Sequence, residues 1–82
     1  VTGRLLLDSI EPPVAAEILR RSDGGRCEVG ATGCEDRFSA GMYLVDDVLP
    51  VEAGTVLHAC RPCRARCDAD PALARRLSGV PA

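Results

Sequence analysis

The chain has no lysine, one histidine (His58), and only Phe38 and Tyr43 as aromatic residues. Each scarcity closes a route. Two rings are too few for the base-stacking platform that single-strand nucleic-acid binders use. The 46% hydrophobic content rests on Ala, Val, Leu and Cys, which are small or medium in volume. Eighty-two residues of that kind build a thin core, which needs a metal or disulfides as a staple. No apolar run approaches the length of a membrane span, and the short one at Leu5 to Leu7 ends at Asp8. It is also too short for a secretory signal. The expectation is one intracellular (cytoplasmic) domain, with no membrane partner and no small-molecule substrate. All ten basic residues are Arg, which reads as the base composition of a GC-rich coding genome. The formal net charge of −2 argues against a general nucleic-acid coat protein but leaves room for a local basic patch.

What is present is cysteine, and in an odd number: five. A secreted disulfide scaffold would use an even set behind a signal. In a reducing compartment the thiols are instead available to a metal. Cys60-Arg61-Pro62-Cys63 is a C-x2-C turn, a spacing that points two sulfurs at one ion, each about 2.3 Å from a Zn²⁺. Cys27 and Cys34 form a looser pair, and Gly30 and Gly33 between them let the loop curl. The 25 residues between the pairs are enough for one β-hairpin. The expected site is a Zn²⁺ held by Cys27, Cys34, Cys60 and Cys63. Buried apolar cysteines and disulfides are the competing readings. His58 and Cys67 are reserve ligands: on a strand His58 shares a face with Cys60, and Cys67 lies one helical turn beyond Cys63. Four bound thiolates and the ion would move the net charge to about −4.

Along the chain, residues 1–10 read as an extended arm, with a possible short strand at 4–7. A helix over 11–22 opens on Pro12-Pro13, carries an apolar stripe of Val14, Ile18 and Leu19, and stops at Asp23-Gly24-Gly25. That stripe faces the core or a partner. Met42 to Val45 and Thr55 to Ala59 read as two strands, and a helix follows over about 61–68. A C-terminal helix spans 70–78, with Asp70 as N-cap and Pro71 at its first position. The fold class is α+β: a small zinc-stapled treble clef with an N-terminal helix, its core at 27–68.

Three segments carry a resemblance. They are Leu19 to Glu28 (LRRSDGGRCE), Val45 to Pro50 (VDDVLP) and Val56 to Ala65 (VLHACRPCRA). The last is similar to an Asn-Leu-x-x-Leu-Cys-x-x-Cys-His run, and Asp70-Pro71-Ala72 to a His-Pro helix start. Over Leu19 to Leu77, about three quarters of the chain, the sequence resembles the HNH endonucleases of the small actinobacterial and phage type. The resemblance implies a ββα zinc fold that lies on DNA. It also implies a general-base His, an Asn that orients it, and two further His residues, one a ligand of the catalytic divalent metal. Those positions hold Asp47 (after Asp46), Thr55, Arg64 and Asp70.

Hydrolysis of this kind needs a base that titrates near neutrality and a divalent ion on the leaving oxygen. An exposed Asp is a weak base for water, and Arg64 is a permanent cation that repels a metal. Three functions compete. The first is a catalytically inactive binding module for DNA or a host protein, with Arg61, Arg64, Arg66, Arg75 and Arg76 as phosphate contacts. The second is an active endonuclease with a carboxylate site of Asp46, Asp47 and Asp70. The third is a protein-interaction module alone, such as a phage factor acting on its host. Solvated turn acids and a solvated helix face are the simplest readings of these charges.

Overall fold

The computed structural model describes residues 3–7 and 10–80. The elements run β1 (Arg4–Leu6), α1 (Pro12–Arg21), β2 (Gly41–Leu44), β3 (Val56–Ala59), α2 (Arg61–Ala69) and α3 (Pro71–Ser78). They make an α+β fold around one antiparallel sheet of order β1-β2-β3. The expected hairpin is present, with Tyr43 opposite Leu57. The expected extended arm is not an arm: Arg4–Leu6 adds a third strand to β2, with Leu5 opposite Tyr43. Leu6 is buried, and that pull fixes which face of so short a strand turns inward. The other residues of 1–10 include four outside the described set.

The sheet separates two apolar clusters because side chains alternate across it. On one face Leu6, Leu44 and Val56 meet Ile18 of α1. On the other, Tyr43, Val45, Leu57 and Ala59 meet Cys63 and Cys67 of α2 and Ala74 of α3. Of the expected α1 stripe, Ile18 is fully buried and Val14 packs beside it, but Leu19 stays 38% exposed. One residue separates Leu19 from Ile18, a rotation of about 100° on a helix, enough to carry it to the rim.

The helix ends follow local rules. Both α1 and α2 carry Pro in the first turn. After α1 the chain reverses through Asp23, Gly24 and Gly25, all at positive φ. Asp70 stands at the N-cap of α3 but makes no side-chain capping bond, contrary to the sequence expectation. It also closes α2, and its φ of −135° and ψ of 81° serve that junction.

Charged side chains close the free edge of β3. Arg21 Nη2 donates to the Val56 carbonyl at 2.7 Å, and its Nη1 donates to the Ala53 carbonyl at 2.7 Å. Glu28 accepts from the His58 N–H at 2.8 Å, and its own N–H donates to the His58 carbonyl at 2.7 Å. The two side chains pair with each other through Arg21 Nε at 2.7 Å. A strand edge so occupied cannot recruit another strand.

Ile18 is the only α1 side chain that is fully buried among the described residues. Ile18→Ala is expected to cost about 3 kcal/mol, a large share of a small domain's stability. Urea unfolding of the metal-loaded chain reads that loss, while Leu19→Ala should cost less than half as much.

Candidate metal centre

Two backbone segments bring the thiols together. Cys27 and Cys34 lie on the loop after α1. Cys60 is the N-cap residue of α2, and Cys63 is in its first turn. The loop curls through Gly30 at φ 66° and Gly33 at φ 83°, conformations that side chains with a Cβ rarely take. Hydrogen bonds to sulfur help to hold the curled loop. The Val29 N–H donates to Cys27 Sγ at 3.4 Å, and the Asp36 N–H to Cys34 Sγ at 3.3 Å. A third, from the Glu35 N–H to Cys60 Sγ at 3.3 Å, crosses from the loop to the helix start.

The result is one cluster. The Sγ atoms of Cys27, Cys34, Cys60 and Cys63 all lie within 4.8 Å of one another. Cys34 and Cys60 are 3.8 Å apart. A tetrahedron with metal–sulfur bonds of about 2.3 Å has edges of about 3.8 Å, so the sulfurs are spaced to share one ion. None of the five cysteines is in a disulfide. These four residues, and no others among the described ones, form a group of three or more donors placed to hold a metal.

The thiols have different proton affinities. Burial pushes Cys27 up, but N–H donors of Gly30, Cys60 and Val29 outweigh it and bring its pKa to about 7. The Asp36 N–H pulls Cys34 down, yet desolvation and the thiols of Cys27 and Cys60 carry it above the ordinary value. Burial, followed by the Cys60 thiol, pushes Cys63 well upward. Four thiolates cannot be crowded together without a cation, and the cation that fits replaces the protons. The N-terminus of α2 adds its positive dipole end to the same place.

The reserve ligands stand apart. His58 does not share a face with Cys60, because β3 ends at Ala59 and the alternation stops there. Its ring packs toward α1, near Gly25 and Leu19. It is 8% exposed, its Nδ1 finds no partner among the described residues, and burial lowers its pKa. Cys67 lies beside the cluster within the core, where burial pushes its thiol up to about 11.

The residues that the resemblance would place at nuclease positions are engaged otherwise. Asp46 is buried, accepts from the Val48 N–H at 3.2 Å, and pairs with Arg75. The Val48 N–H and then Arg75 hold its carboxyl below the ordinary value. Asp47 pairs with Arg4 at the surface. The Thr55 hydroxyl locks a turn, donating to the Pro50 carbonyl at 2.6 Å and accepting from the Glu52 N–H at 3.1 Å. Arg64 Nη1 donates to the carbonyls of Ser39 and Ala59, each at 2.7 Å. Asp70 is exposed at the junction of α2 and α3. Of the five arginines expected on phosphate, Arg61, Arg66 and Arg76 are exposed, whereas Arg64 and Arg75 serve the fold.

The contacts that sequence reading missed are the N–H donors of Glu35 and Asp36 and the Arg21–Glu28 clamp. A signal for the first was the Gly33-Cys34 turn, which leaves the next two N–H groups free to fold back on sulfur. The charged pair carried no pattern, since seven residues separate its members. Comparison of the chain with protein-family models, with curated proteins and with solved structures finds no match.

Metal affinity is expected to fall as pH falls, because uptake must expel the Cys63 proton throughout the neutral range. Below about pH 7 Cys27 is protonated as well, so the fall should steepen there. Competition with a chelator between acid and mildly alkaline pH measures this slope. Cys63→Ser should abolish tight binding, and Cys67→Ser should leave it unchanged.

Proposed function

We propose that the chain is a treble-clef module of HNH-like form, held by a structural Zn²⁺, whose role is binding and not hydrolysis. The four-thiol cluster carries this reading. Cys27, Cys34, Cys60 and Cys63 supply all four positions of a tetrahedral zinc site and leave none open for water or substrate. Soft thiolates select zinc or iron from among the common metals. Bound in this set, zinc ties the loop to the first turn of α2 and supplies folding energy. The order of cysteine loop, hairpin and cysteine-bearing helix start supports the treble clef.

The loss of hydrolytic chemistry is supported by the use of Asp46, Thr55 and Arg64 in turns and internal bonds. Asp46, Asp47 and Asp70 do not gather into a donor group, so the carboxylate nuclease has no geometric support. The binding surface would be the exposed side of α2 and α3, where Arg61, Arg66 and Arg76 reach solvent and can meet DNA phosphates. A second reading, a protein partner, is favoured by apolar side chains left in water: Phe38 at 88% exposure, Leu7 at 80% and Val48 at 71%.

The purified chain should contain one zinc per molecule and be colourless, whereas iron in the same thiolates would colour it. A supercoiled plasmid should survive incubation with Mg²⁺, Mn²⁺ or Ni²⁺. Binding to duplex DNA should weaken with salt, and joint Arg61→Ala, Arg66→Ala and Arg76→Ala should flatten the log–log salt slope by about two to three. Nicking abolished by Asp47→Ala would restore the nuclease. No binding to DNA at low salt would leave the protein-partner reading.

A further inference from the structure

We propose that Cys34 is an oxidation site and Cys60 its resolving partner, so that a peroxide opens the metal centre by forming a Cys34–Cys60 disulfide. The inference rests on the metal centre proposed above and goes beyond it. Of the four clustered cysteines, Cys60 and Cys63 are buried and Cys27 is half-buried, while Cys34 is exposed. An oxidant arriving from solvent meets Cys34 first.

Cys27 and Cys63 also lie within 4.8 Å of Cys34, and a backbone contact singles out Cys60 among the three. The sulfurs of Cys34 and Cys60 are 3.8 Å apart, so a contraction of roughly 1.8 Å reaches the disulfide bond length. The backbone already brings the two together, because the residue after Cys34 donates its N–H to Cys60 Sγ. The moving part is the loop and not the helix. Cys60 stands between β3 and α2, both fixed in the core, whereas Cys34 sits on a segment with no regular structure. At Gly30 and Gly33, the loop positions ahead of Cys34, an added Cβ would meet nothing within 4 Å, so that part of the loop borders open space.

The chemistry balances in two steps. The Cys34 thiolate attacks one oxygen of hydrogen peroxide; the O–O bond breaks, hydroxide leaves, and Cys34 becomes a sulfenic acid. The Cys60 thiolate then attacks the Cys34 sulfur; the S–O bond breaks, the S–S bond forms, and a second hydroxide leaves. Two thiolates are oxidised by two electrons and one peroxide is reduced; the two hydroxides take up two protons to become water. Cys27 and Cys63 remain, and two thiolates are too few for a structural zinc site.

The test uses the full chain, loaded with zinc and freed of excess. Zinc content measured before any oxidant decides the earlier reading on its own. Hydrogen peroxide is then added, zinc release is followed with a chromophoric chelator, and disulfides are mapped by mass spectrometry after blocking free thiols. One zinc released per chain, with a Cys34–Cys60 bond as the main product, is the expected result. The disulfide map is read on the zinc-loaded chain, where the metal holds all four sulfurs as thiolates and exposure sets which one is met first. Cys34→His keeps a fourth metal donor and removes the exposed thiolate; release should slow at least tenfold. Cys67→Ser should release zinc at the parent rate. A main product joining Cys60 to Cys63 or to Cys67, or unchanged release from Cys34→His, would overturn the proposal. So would retention of zinc and free thiols under a hundredfold excess of peroxide.

Discussion

Four thiols converge where a loop meets the first turn of a helix, and the rest of the domain is arranged around that meeting. On the α1 side the sheet is covered by ordinary aliphatic packing through Ile18. On the opposite side the core is made of Tyr43, a few aliphatics, and cysteines. Small side chains bury little apolar area each, so each contributes little to the hydrophobic effect. A cation shared by the four sulfurs would add to that stabilisation. Without one, Cys34 and Cys63 hold their protons, and the loop is retained by N–H donors to sulfur together with the Cys27–Asp36 and Glu28–His58 backbone bonds. On the zinc reading proposed above, metal binding and completion of the fold would be one equilibrium.

The arginines show how little of the charge is left for an outside partner. Arg21 and Glu28 cover the edge of β3. Arg64 holds the strand end to the loop before β2, close to the thiol cluster. Arg75 meets the buried Asp46. Each guanidinium offers several donors in a fixed fork, which suits it to bridging carbonyls and carboxylates from distant segments. A chain without lysine has used these forks as internal ties. The binding surface proposed for α2 and α3 is the remainder, three exposed side chains, and it stands on a domain whose balance is acidic.

The reach of sequence reasoning varied with the range of the interaction. Both cysteine pairs, the hairpin and the three helices were legible because spacing, β-rich runs and proline-bearing starts act over a few residues. The first strand was ambiguous because three residues have no pattern of their own; pairing with β2 makes Arg4–Leu6 a strand. Leu19 looked equivalent to Ile18 in a helical stripe, yet a rotation of about 100° between neighbours carries it to the rim. His58 looked like a reserve ligand while β3 was assumed to run on; β3 ends at Ala59, and the His58 ring packs beside Gly25 instead.

The sequence by itself determined that a metal could be held and by which thiols, since ligand type and spacing are local properties of the chain. It also set Asp47, Thr55, Arg64 and Asp70 where the resemblance would place His and Asn, which is a matter of residue identity alone. Only the tertiary structure decided which charges are free, which cysteine faces water, and which edges are closed. Those properties depend on what lies across the sheet or across a turn, and contacts between residues far apart in the chain leave no periodicity to read.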